Sequence, residues 1–90
     1  MDTMKTGSYL AALRKDAGMT QQEVADRLGV SNKTISKWES GGGFPDIAIL
    51  PALAELYGVT ADDILAGEAV RQSTGGRQVE QYLAQRYGLR

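Results

Sequence analysis

Cysteine and histidine are both missing from this 90-residue chain. Without cysteine there is no disulfide framework and no cysteine-liganded zinc finger. Without histidine the chain lacks the commonest general base and the commonest metal ligand. No apolar run approaches the ~20 residues needed to span a bilayer, and no signal-peptide pattern opens the chain, so the expected setting is the cytoplasm, with no membrane partner. An excess of either charge is lacking as well: 10 basic residues stand against 11 acidic ones, a net charge of −1. Nucleophile–base pairs, glycine-rich phosphate loops and metal-ligand clusters are not found. Asp62 and Asp63 are adjacent carboxylates, but they open a short helical pattern where negative charge complements the helix dipole. No catalytic residue, metal or cofactor is therefore expected, and the chain is not expected to be an enzyme.

What is present is concentrated in residues 20–41, TQQEVADRLGVSNKTISKWESG. Thr20 followed by Glu23 is a capping box, in which the hydroxyl accepts from the first-turn backbone and the carboxylate reaches back to the cap N–H. A helix therefore starts at Gln21, with Val24, Ala25 and Leu28 on one face. Gly29 stops it, since glycine reaches the left-handed conformation of a helix end at no steric cost. Val30 is the apolar plug of the turn, and Ser31 caps a second helix running from Asn32 to Glu39 or Ser40. Ile35 and Trp38 point inward from that helix, so Trp38 is read as core rather than as a stacking platform. Lys33, Ser36, Lys37 and Ser40 face outward, with Asn32 at their leading edge. Ala25 faces the crossing of the two helices, where a larger side chain would push them apart.

Two short helices joined in this way are suited to placing the second helix in the major groove of DNA. Asn32 can pair bidentately with adenine and Lys33 can donate to guanine O6 and N7. Thr34 can offer its methyl to thymine or pack against the preceding helix, and Ser36 and Lys37 continue the outward face, with Lys37 in reach of a base or the backbone. Ser31 caps its helix and can also touch a phosphate. The backbone amides of Gly41 and Gly42 could approach phosphate, although a flexible turn accounts for these glycines equally well. A solvated polar face with no task would also be free of apolar residues.

The flanking segments extend the helical pattern. A first helix is expected from Thr6 or Ser8 to Ala17, with Leu10, Leu13 and Ala17 inward and Tyr9 at the edge of that face. Gly41, Gly42 and Gly43 form a loop that Phe44 anchors before Pro45. Asp46 is expected to cap a fourth helix carrying Leu50, Leu53, Ala54 and Tyr57, with Pro51 making its first turn irregular. Thr60 and Asp63 form a second capping box, for a short fifth helix ending near Gly67. Ninety residues make one small domain that buries roughly 60% of the surface of its unfolded chain.

The segments LRKDAGMTQQEVADRLGVS, ISKWESG and PDIAILPALAELYGVTADDILAGE together resemble the helix-turn-helix domain of the phage repressor and Cro family, also called the xenobiotic-response-element family of bacterial regulators. The resemblance runs from about Thr6 to Glu68. It implies an all-α, five-helix repressor-like domain over residues 6–68, followed by a linker and a C-terminal helical tail over 69–90. It also implies a sequence-specific regulator of transcription, a repressor, that binds double-stranded DNA as a homodimer. Gln21 is then expected to reach a phosphate or brace the recognition helix, and Arg14 to pair with Glu39. The family often holds an arginine or asparagine at the position of Ser40 to reach a phosphate; serine shortens that contact and removes the charge. At this length a separate ligand-sensing domain is not expected. Two other readings stay open: an antitoxin that binds both operator DNA and a toxin, and a protein-interaction module without DNA binding.

The charge is unevenly placed. Residues 1–45 hold six basic and five acidic side chains, residues 46–68 hold five acidic and no basic ones, and residues 69–90 hold four arginines and one glutamate. A local field from Lys33 and Lys37, with Lys5 and Arg27, can still attract DNA. Binding is expected to be weaker and less salt-sensitive than for a strongly basic domain. RQVEQYLAQRYGLR, the last segment, is helix-like, with Val79, Tyr82 and Leu83 on one stripe; docking on its own domain, pairing with a second chain and fraying all fit it.

Overall fold

The computed structural model of the protein describes residues 2–70; the tail helix expected beyond them lies outside the described residues. Five α-helices follow in order: α1 (Thr3–Asp16), α2 (Gln21–Leu28), α3 (Asn32–Glu39), α4 (Leu50–Tyr57) and α5 (Ala61–Ala66). Among the described residues there is no strand.

The local signals for α2, α3 and α5 act as the sequence spells them. The Thr20 hydroxyl accepts from the Glu23 N–H at 3.1 Å, and the Glu23 carboxylate accepts from the Thr20 N–H at 2.8 Å. Gly29 ends α2 at φ 72°, a left-handed conformation that costs glycine nothing and a side chain strain. The Ser31 hydroxyl accepts from the Thr34 N–H to start α3. Thr60 and Asp63 repeat the reciprocal cap at α5.

Helices α1 and α4 depart from expectation. α1 begins at Thr3, because the Asp2 carboxylate accepts from the amides of Met4 and Lys5 at 3.0 and 3.1 Å. Its inward face at that end is Thr6 and Gly7 with Leu10; Leu13 is only half-buried, and Ala17, beyond the helix end, is exposed. Asp46 does not cap α4 with its side chain. Its carbonyl instead accepts from Ile49 and Leu50 in a turn that precedes the helix, and α4 starts at Leu50 with no side-chain cap. Pro51 sits in the first turn of α4 without interrupting it, since a donor at that position has no partner within the helix.

One core ties the elements together: Leu10 of α1, Val24 and Ala25 of α2, Ile35 and Trp38 of α3, Leu50, Leu53 and Ala54 of α4, and Ile64 of α5. Each large aliphatic side chain buried there contributes about 1.5–3 kcal/mol. Helix α3 packs on both α1 and α2, while α5 packs on α1 and α4. Two features bring α1 close to its neighbours. Thr6, buried, donates its hydroxyl to the Ile64 carbonyl at 2.8 Å. Gly7 lies so near the last turn of α3 that a Cβ there would meet the Trp38 carbonyl oxygen at 2.5 Å. The far end of α3 is thus seated directly on the α1 backbone.

Candidate nucleic-acid interface

Helix α3 is divided sharply between its faces. Ile35 is 2% exposed and Trp38 7%, and this burial fixes which residues can face a ligand. Asn32, Lys33, Ser36 and Lys37 are all exposed on the other side, flanked by Ser31 before the helix and Ser40 after it. Neither Lys33 nor Lys37 has an ion-pair partner among the described residues. The exposed face is therefore cationic, with hydrogen-bonding groups between its two ammonium ions and no apolar side chain.

Three candidates are partly committed to the fold. Thr34 is half-buried and its hydroxyl lies 3.0 Å from that of Ser31, whose oxygen also serves the helix cap. Ser40 donates its hydroxyl to the Lys37 carbonyl at 3.1 Å, closing the C-terminal turn of α3. Gln21, half-buried at the start of α2, donates its side-chain N–H to Glu39 at 3.0 Å. Of the two roles open to Gln21, the bracing contact with α3 is the one present.

Glu39 is the centre of a polar cluster. It accepts from Arg14 Nε at 2.7 Å and from Arg14 Nη2 at 3.0 Å, so the expected ion pair is present and bidentate. Arg14 also donates to the Met19 carbonyl at 2.9 Å, which fixes the turn between α1 and α2. The hydrogen bond to Glu39 holds the guanidinium pKa above its ordinary value, against the opposing effect of burial. Tyr57 of α4 borders this cluster, and its phenol is pushed up to about 12, chiefly by burial and then by the Glu39 charge. Helical spacing places Tyr57 only on the α4 core face. Its link to Glu39 crosses from α4 to α3, and no local pattern announces it.

In the glycine loop the turn reading of Gly41 and Gly42 is the one present. The Gly41 N–H donates to the Trp38 carbonyl at 3.2 Å and the Gly42 N–H to the Lys37 carbonyl at 2.8 Å. Both amides are used within the turn and are not offered outward. The glycines here leave room instead: a Cβ at Gly42 would stand 3.0 Å from Lys37 Cγ, and one at Gly43 would stand 3.4 Å from Lys37 Cε. The Lys37 side chain thus lies along this loop.

Comparison with known proteins agrees with this geometry. A family model described as helix-turn-helix matches residues 10–64. The HTH-type transcriptional activator BcrR of Enterococcus faecalis is 40% identical over 65 residues, which cover 72% of this chain and 32% of that protein. The HTH-type transcriptional regulator ImmR of Bacillus subtilis is 36% identical over 67 residues, 74% of this chain and 53% of that protein. Both relatives are therefore much longer than the segment they share with this chain. Among solved structures, the clp gene regulator ClgR of C. glutamicum aligns with a TM-score of 0.63 at 25% identity, covering 74% of this chain and 87% of that one. No helix among the described residues is long and apolar enough to cross a membrane.

Proposed function

The chain belongs to the helix-turn-helix family shared by these regulators, and from that premise we propose that it is a sequence-specific, double-stranded-DNA-binding transcriptional regulator of the cytoplasm. The observation that carries the reading is the division of α3: an apolar face of Ile35 and Trp38 only 2% and 7% exposed, and an opposite face of Asn32, Lys33, Ser36 and Lys37 that is exposed. Helix α3 enters the major groove, with Asn32 and Lys33 as the base-reading residues. Ser31, Ser40 and Lys37 hold the phosphates beside it, Gln21 braces α3 through Glu39, and Thr34 supports the start of the helix and presents its methyl to the groove. Phosphate contacts set position and base contacts set sequence preference.

One domain of this size makes few contacts, so two copies bind half-sites about 34 Å apart, one turn of the duplex. The output is repression, because occupancy alone blocks a promoter, whereas activation needs a further surface for the transcription machinery. BcrR is named an activator, so a reporter placed behind the selected site decides the sign: expression falls on induction of a repressor and rises with an activator. The recognition assignment is tested by Lys33→Ala, which should lose about 1–3 kcal/mol on the preferred duplex and relax selectivity at one base pair. Gln21→Ala should weaken all duplexes more evenly. Unchanged affinity and preference in Lys33→Ala would remove α3 from the role given to it.

A further inference from the structure

Of the three glycines that follow α3, only Gly41 is required by the shape of the backbone. Its φ is 84°, whereas Gly42 and Gly43 stand outside the left-handed region, where the backbone makes no demand for glycine. The turn is otherwise an ordinary way to close a helix. The Gly42 N–H donates to the Lys37 carbonyl and the Gly41 N–H to the Trp38 carbonyl, and in such an ending the residue at position 42 is frequently apolar and packs on the side chain at position 37. Here position 42 has no side chain, and the Lys37 stem lies against the space it would fill. A Cβ on Gly42 would stand 3.0 Å from Lys37 Cγ and 3.3 Å from the Lys37 carbonyl oxygen; one on Gly43 would stand 3.4 Å from Lys37 Cε. The backbone at the root of this stem is fixed as well, because the Lys37 carbonyl accepts from Gly42 at 2.8 Å and from the Ser40 hydroxyl at 3.1 Å. Lys37 is exposed, and its ammonium has no ion-pair partner among the described residues.

We propose that Gly42 and Gly43 are positioning residues for DNA: they keep bare the channel in which the Lys37 stem lies, and so hold its ammonium beside the loop as a clamp on one backbone phosphate. The group recognised is a phosphodiester and not a base. Lysine carries a point charge on a flexible four-carbon stem, and a stem already laid along the loop loses less rotamer freedom on binding. Lys33, one turn nearer the start of α3, is left as the lysine that meets a base edge. The inference rests on the reading of α3 as the DNA-facing helix, and it adds why two glycines stand where the backbone needs none.

Filling the channel tests it. Gly42→Ala and Gly42→Leu do so by steps, the second with the kind of side chain such a turn frequently carries. Thermal melts should stay close to those of the unsubstituted chain, and binding is measured far below them so that lost stability does not imitate lost affinity. On the duplex selected for the unsubstituted chain, affinity should fall from glycine through alanine to leucine at position 42. The slope of log affinity against log salt should flatten by about 1 in Gly42→Leu, as one phosphate contact is lost. Lys37→Met keeps the stem and removes the charge. It should flatten the slope equally, on the selected duplex and on an unrelated one alike. Adding Gly42→Leu to Lys37→Met should then cost nothing more, whereas adding it to Lys33→Ala should cost its full loss.

Full affinity and slope in Gly42→Leu would overturn the proposal. A loss that persists beside Lys37→Met would overturn it too, because the new side chain would then be meeting the DNA itself. So would a changed base preference in Lys37→Met, which would make Lys37 a reader and not a clamp. These three results leave the reading of α3 intact. An unsubstituted chain that binds no duplex in a salt-dependent way would instead remove that reading and this inference together.

Discussion

Helices α3 and α4 are each eight residues long and each buries one face in the same core, yet they show water opposite surfaces. The outer face of α3 is Asn32, Lys33, Ser36 and Lys37; that of α4 is Pro51, Ala52 and Glu55, with Ile47 ahead of it. A phosphate-lined groove rewards cations and hydrogen-bond donors that keep water until they bind. A protein partner rewards apolar area that is costly to leave in water. The core explains why each helix exists, and the outer faces differ in their chemistry, cationic and hydrogen-bonding on α3, small and acidic on α4. The ends differ in the same sense. α3 is held by a side-chain cap and by the Glu39 cluster, whereas α4 has no side-chain cap and depends on its packing.

That difference can be broken at the Glu39 cluster with the largest effect. Glu39→Ala strands the Arg14 guanidinium in a site where its side chain is only 13% exposed, and it should cost about 3–5 kcal/mol in urea denaturation. The pair Lys5–Glu68, with side chains 48% and 62% exposed, is the control: Glu68→Ala should cost under ~1 kcal/mol. Equal losses in the two variants would mean that the Arg14–Glu39 pair is as well solvated as a surface pair. The caps give a smaller contrast. Thr20→Ala should remove about 1 kcal/mol through the lost α2 cap, while Asp46→Ala, whose side chain caps nothing, should stay within ~0.5 kcal/mol.

The smallest effect sharpens the acid side of the α4–α5 half. Amides of Val70 and Thr60 donate to the Asp63 carboxylate and hold its pKa below the ordinary 3.8. A carboxyl depressed in the fold binds fewer protons there than in the unfolded chain. Its stabilisation is therefore fully present above the unfolded value near pH 4, and it fades as pH falls through the lower folded value. Asp63→Asn keeps an acceptor and loses the titration, so thermal melts between neutral and acid pH should fall less steeply for the variant. An identical slope would show that Asp63 does not carry the linkage.

How much of this could be read from the residues depends on the range of the interaction. Caps are local, so Thr20 with Glu23, Ser31, and Thr60 with Asp63 located three helix starts to the residue. The inward positions Ile35 and Trp38 followed from helical spacing and are buried. The start of α1 was expected at Thr6 or Ser8 and lies at Thr3, where Asp2 caps it; the close approach of Gly7 to the Trp38 carbonyl appears only when α3 is laid across it. Asp46 resembled a cap, but the chain makes a turn on its carbonyl before α4 begins. For the Gly41 and Gly42 amides the residues left phosphate contact and a simple turn equally open; they are spent inside the turn, a competition between partners that composition does not reveal. The Arg14–Glu39 pair was legible through the family resemblance alone, and the contact of Gln21 with Glu39 matches the bracing role, one of the two open to it.

The central claim, that the outer face of α3 reads a DNA sequence, is tested most directly by selecting sites for the full chain from a random duplex library at low salt and titrating the selected duplex over a range of salt concentrations. The account predicts an enriched palindrome with half-sites about 34 Å apart, bound with an affinity that falls as salt rises, by a slope that reflects only a few phosphate contacts per domain. A library that emerges without enrichment, together with binding that salt does not change, would contradict it.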